Sequence, residues 1–133
     1  TGYWAFLLNQ MGVDIIAFDM TPPNKKKENF YGHVSQWFEM GAGGPPEIEK
    51  HPERNLFLCW PPYSTPMAYD CLKRFKGTYF IYIGEGDGGC NGDEKFFSYL
   101  YHHFEKLLTI DIPQYSGIHD SLKIYKRRQT PLP

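Results

Sequence analysis

The chain has 133 residues, is 41% hydrophobic and 17% aromatic, and carries a formal net charge of −1. That is apolar material for one domain with one core, residues 1–133, and too little chain for two. Fourteen Lys and Arg against fifteen acids leave no overall field to hold a nucleic acid or an anionic membrane.

The basic runs Lys25-Lys26-Lys27 and Lys126-Arg127-Arg128 read as a solvated loop and a solvated tail. Cys59, Cys71 and Cys90 show no metal-ligand spacing and cannot all pair, which fits reduced thiols and a cytoplasmic location. No apolar run approaches the roughly 20 residues of a membrane helix, and the start has no signal-peptide pattern.

Trp4, Leu7, Leu8 and Met11 share one face of a helix that Gly12 stops. Val13 to Phe18 is apolar and short, as a buried parallel strand would be. Thr21 to Gly32 reads as a surface loop, and His33 to Met40 as a further strand. Gly41 to Pro46 reads as a loop and Glu47 to Asn55 as a polar connection. Leu56 to Trp60 is a second buried strand, ended by Pro61-Pro62, which cannot donate to a ladder.

Ala68, Cys71, Leu72 and Phe75 predict a helix before Gly77, and Thr78 to Ile83 a β-branched and aromatic strand. After the glycine-rich Gly84 to Gly92, Asn91 and Glu94 have capping-box spacing, and a helical stripe runs through Phe97, Leu100, Phe104 and Leu108. Leu108 to Ile112 and Leu122 to Arg127 follow with no helix between them, which predicts an antiparallel hairpin at a sheet edge. The whole order predicts an α/β fold: a mostly parallel sheet with helices on both faces. A strand is missing in front of the first helix, so the sequence is expected to begin inside the domain.

Unusual residues fall at the carboxyl ends of the predicted strands, where open parallel sheets bind ligands. Thr1-Gly2 precedes the first helix, and a glycine there permits close approach of backbone N–H groups to a ligand. Asp19 follows Gly2 by 17 positions, near the spacing of an acid that accepts from both ribose hydroxyls. Trp60-Pro61-Pro62-Tyr63 puts two prolines after a buried strand, so that carbonyls without competing N–H groups can orient a nucleophile beside two aromatic rings. Glu85, after a central strand, is a candidate general base and equally a candidate structural acid. His102-His103 point apart on a helix and make poor metal ligands. His119-Asp120 could be an acid–base pair or a turn with a stabilising Asp. Cys90 has no identifiable catalytic partner.

These segments resemble the class I S-adenosylmethionine-dependent methyltransferases over nearly the whole chain, which implies a Rossmann-like sheet. Thr1-Gly2-Tyr3-Trp4 is similar to the end of their glycine-rich cofactor loop, and Asp19 to their ribose-binding acid. Cys59-Trp60-Pro61-Pro62-Tyr63 looks like their post-strand catalytic motif, and most of all like that of a methyltransferase-like group with a Cys-Trp-Pro-Pro-Tyr segment. The resemblance implies S-adenosyl-L-methionine as cofactor, held by Thr1, Gly2, Asp19 and Cys59. It implies that Trp60, Pro61, Tyr63 and Glu85 serve the transfer to a small-molecule or protein acceptor, with no metal. Two positions depart from the pattern. Trp60 stands where enzymes that methylate planar amino groups carry Asn or Asp, and Gly41-Ala42 where many relatives carry an acid for the adenine. Those departures motivate the alternative of a catalytically inactive, methyltransferase-like binding module.

Overall fold

The computed structural model describes residues 1–23 and 35–133. Contacts divide the chain into two compact units, Thr1–Glu47 and Ile48–Pro133.

In the first unit, α1 (Tyr3–Gln10) buries Ala5 and begins at Gly2, whose φ of 72° lies in the left-handed region that glycine enters without a Cβ penalty. A Cβ there would also sit 3.0 Å from that of Phe38. Tyr3 meets the Trp37 ring edge-on at 5.4 Å, and Phe6 lies 5.6 Å from the same ring. The strand expected over Val13–Phe18 is reduced to β1, Phe18–Asp19, which pairs in parallel with β2, Gly41–Ala42, in a stretch expected to be loop. A strand extends only as far as its ladder, and β2 offers two residues. A 3-10 helix over Pro45–Lys50 replaces part of the expected polar connection. The lysine run at 25–27 and residues 33–34 lie outside the described residues. The rest of the strand expected over His33–Met40, residues 35–40, takes no strand form.

The second unit holds a four-stranded sheet in the order β3-β4-β6-β5. β3 (Leu56–Cys59) and β4 (Tyr79–Gly84) are parallel, and β6 (Ser121–Arg127) is antiparallel to both β4 and β5 (Phe104–Ile110). The expected hairpin is therefore present, with β5 outermost. The sheet is mixed rather than mostly parallel, because its two antiparallel pairings outnumber the single parallel one.

The helices α2 (Met67–Arg74) and α3 (Glu94–His103) pack on each other and on one face of this sheet, not on both. Alternation along β4 turns Phe80 and Tyr82 to that face, where Phe96 of α3 meets both rings at 6.1 and 5.6 Å. Ala68, Cys71, Leu72 and Phe75 of α2 join the same core with Leu58, Leu100, Phe104 and Tyr125.

The helical stripe read through Leu108 ends at His103. Phe104 is extended (φ −131°, ψ 150°), buried, and stacked on Phe75, and from it the chain runs on as β5 opposite Arg127. Burying one large ring there outweighs the weak preference for continuing the helix. The helix cap is also displaced. Asp93, not Asn91, accepts from the Phe96 N–H at 2.9 Å, because the Asn91 side chain is engaged in the core.

Candidate functional site

The parallel pair β3 and β4 delivers two post-strand segments to one end of the sheet, and the start of antiparallel β6 arrives there too. Trp60-Pro61, the loop 84–92 and His119-Asp120 are joined there by hydrogen bonds.

Asn91 is the central link. It is 2% exposed; its Oδ1 accepts from the Glu85 N–H at 2.8 Å, and its Nδ2 donates to the Pro61 carbonyl at 3.2 Å. The Gly92 N–H donates to the same carbonyl at 3.3 Å, and the Ser64 N–H to the Gly92 carbonyl at 2.8 Å. The Pro61 carbonyl is thus engaged in holding the glycine-rich loop.

Glu85 is buried, and each carboxylate oxygen takes a backbone N–H: Oε1 from His119 at 3.0 Å and Oε2 from Cys90 at 2.7 Å. The His119 and Cys90 donors hold its carboxyl below the usual range, against the opposing cost of burial. Such a carboxylate stays ionised and clamps two loops together. The Tyr82 hydroxyl donates to the Glu85 carbonyl at 2.8 Å, and glycine is needed at position 84, where a Cβ would lie 2.5 Å from that hydroxyl.

Trp60 adopts φ 51°, a left-handed conformation that costs a bulky residue on the order of 1–3 kcal/mol. Its N–H donates to the Ile83 carbonyl at 2.8 Å, and its indole Nε1–H to Asp120 Oδ2 at 2.9 Å. Asp120 is 7% exposed, and its Oδ1 has no hydrogen-bond partner. Gln114 donates to the Asp120 carbonyl. Burial first, and the nearby Asp120 carboxylate second, push the Cys59 thiol up to about 12, so it is protonated at neutral pH. Tyr63 is 66% exposed and projects from the turn after Pro61-Pro62.

The remaining predicted residues belong to the first unit. The Thr1 carbonyl accepts from the Trp37 N–H at 2.9 Å, and Gly2 opens α1. Asp19 ends β1, half-buried, and its Oδ1 accepts from the Thr21 N–H at 2.8 Å. Gly41-Ala42 are exposed β2 residues. Asn91 is marked in the sequence only by its capping-box spacing to Glu94, which says nothing of its tie between Glu85 and Pro61.

Among the described residues no group of three or more His, Cys, Asp or Glu side chains is placed to hold a metal ion, and no helix is long and apolar enough to cross a membrane. Comparisons with protein families, with curated proteins and with solved structures gave no match.

Proposed function

We propose that the chain is a methyltransferase-like domain that transfers a methyl group from S-adenosyl-L-methionine to a small-molecule or protein acceptor. One observation carries this reading: the Cys-Trp-Pro-Pro-Tyr segment and the Gly-Glu loop leave adjacent parallel strands at the same end and are welded through Asn91. Open sheets bind ligands at such strand ends. In this proposal the sheets belong to a Rossmann-like arrangement. Thr1, Gly2, Asp19 and Cys59 are assigned to the cofactor, and Trp60, Pro61, Tyr63 and Glu85 to the acceptor side.

Gly2 suits a cofactor, since its left-handed turn opens α1 and leaves the helix's first N–H groups for a ligand. The cofactor, held by Thr1, Gly2, Asp19 and Cys59, would supply an electrophilic methyl to the acceptor's lone pair and leave as S-adenosylhomocysteine, with the acceptor giving up a proton. The protein's part is chiefly positioning. The Glu85 clamp and the Trp60–Asp120 bond fix the loops, and the exposed Tyr63 ring is free to meet an acceptor.

The test is a titration of the protein with S-adenosylhomocysteine. At about 100 times its dissociation constant it should add about 2.7 kcal/mol of stability, read as a raised melting temperature. Asp19→Ala should weaken that shift. No shift with the folded protein would sink the cofactor assignment. The same observations favour one second reading, a non-catalytic module, because the Pro61 carbonyl and both Glu85 oxygens are engaged within the protein.

Tyr63→Ala separates the two readings. At an exposed position it should change stability by less than about 0.5 kcal/mol. With a methyl acceptor in hand, an enzyme should lose turnover or acceptor affinity while cofactor affinity stays the same. Unchanged acceptor kinetics would place Tyr63 outside the acceptor site.

A further inference from the structure

At the end of the sheet opposite the post-strand loops, β6 leaves the ladder as Lys126-Arg127-Arg128, and the chain continues against the end of α3. The Arg128 N–H donates to the His103 carbonyl and the Leu132 N–H to that of His102, both at 2.9 Å, so Gln129 and Thr130 are held in place. A cavity of about 330 Å³ opens there, lined by Glu105, Lys126, Arg127, Arg128, Gln129 and Thr130.

The cations lining it are used unequally. Arg127 is committed to the fold: its Nε donates to the Gly77 carbonyl at 3.1 Å, its Nη2 to that of Phe75, and its guanidinium stacks over the Phe104 ring at 4.7 Å. Arg128 and Lys126 are not. Arg128 Nε is buried with no hydrogen-bond partner. Among the described residues neither side chain forms an ion pair. That N–H is out of a ligand's reach, but among the described residues no protein group accepts from the Arg128 Nη atoms or from Lys126 Nζ, and these donors are open to an oxyanion.

We propose that this cavity binds the phosphate group of a small phosphate monoester. A guanidinium fork and an ammonium match a dianion. The Gln129 amide and the Thr130 hydroxyl add donors for its remaining oxygens. The volume exceeds what a bare phosphate fills and lies at the lower end of small-molecule sites, which leaves room for a short ester group. The one carboxylate in the lining, Glu105, stands opposite Lys126 in the strand register. A chain of net charge −1 supplies no field for a polyanion. The register places β6 residues Lys126 and Ser121 at opposite ends of β4, so this site is separate from the loops around Asn91.

The test titrates the whole chain with glycerol 3-phosphate, inorganic phosphate and glycerol, following backbone amide resonances and heat. Glycerol 3-phosphate should shift the amides of residues 126–130 and bind more tightly than inorganic phosphate, and glycerol should not bind. Arg128→Gln should weaken binding by about tenfold or more, the loss of a bidentate charged contact, with the ligand-free melting temperature close to that of the parent. If Arg128→Gln does not fold, Lys126→Gln, at an exposed strand position, should weaken binding by about threefold or more. Shifts elsewhere than 126–130, equal affinity for the ester and glycerol, or full affinity in whichever of these variants folds would each overturn the proposal.

Discussion

Asn91→Ala should be one of the most damaging single substitutions in the second unit, with a loss of about 3 kcal/mol in denaturant unfolding. The side chain is 2% exposed and answers two backbone groups that water does not reach, the Glu85 N–H and the Pro61 carbonyl. Pro61 keeps the Gly92 donor after the change, so the main penalty is the orphaned Glu85 N–H together with a small cavity. Asn91→Asp should be no milder. It keeps an acceptor for Glu85 but turns an oxygen toward the Pro61 carbonyl in place of a donor. Asp87→Ala, at the exposed tip of the same loop, is the control and should stay within about 0.5 kcal/mol of the parent. Equilibrium unfolding of the three variants checks this. A loss below about 1 kcal/mol for Asn91→Ala would mean that the loop does not depend on this link.

The sequence was most legible where one side chain's burial decides the structure. Leu56–Cys59 and Tyr79–Gly84 are apolar runs whose alternate residues must be covered, and both are strands, neighbouring and parallel as expected. The hairpin expected of Leu108–Ile112 with Leu122–Arg127, two strand patterns without a helix between them, is present, with its first strand starting earlier, at Phe104. Periodicity failed at Phe104, because it counts apolar positions and cannot see that this ring stacks on Phe75 from an extended backbone. It failed over Val13–Phe18 for another reason, since a strand is made by its ladder and among the described residues the ladder holds Phe18 and Asp19.

The parallel count and the two-sided helices came from a general rule about alternating elements, which fixes neither where the hairpin inserts nor which face each helix takes. At the candidate site, the odd residue types marked the strand ends, but not their tasks. A Glu in a glycine loop reads equally as a general base or as a structural acid until its two oxygens are found on the His119 and Cys90 amides. Asp120 reads as a turn residue until the indole of Trp60, sixty positions away, is found on its carboxylate.

That last contact should prove worth more than either residue's place in a motif suggests. Trp60→Phe keeps an aromatic ring but removes the only side-chain donor to the Asp120 carboxylate among the described residues, and the other oxygen already lacks a partner. The carboxylate would then sit buried with neither oxygen answered, and the variant should lose about 3 kcal/mol, more than the lost ring area alone would cost. Asp120→Leu removes the charge, and with it the reason for the penalty. Combining the two should therefore cost clearly less than the sum, with a coupling of about 2 kcal/mol in a double-mutant cycle. The cycle cancels the packing change at each site, which single variants cannot do. A second readout comes from Cys59. Asp120 is the second cause, after burial, of its raised thiol, so Asp120→Asn should make the thiol ionise at lower pH and react faster with an alkylating probe at alkaline pH. Additive losses within about 0.5 kcal/mol, with thiol reactivity unchanged, would show that the left-handed turn at Trp60 is held by its backbone bond to Ile83 rather than by Asp120.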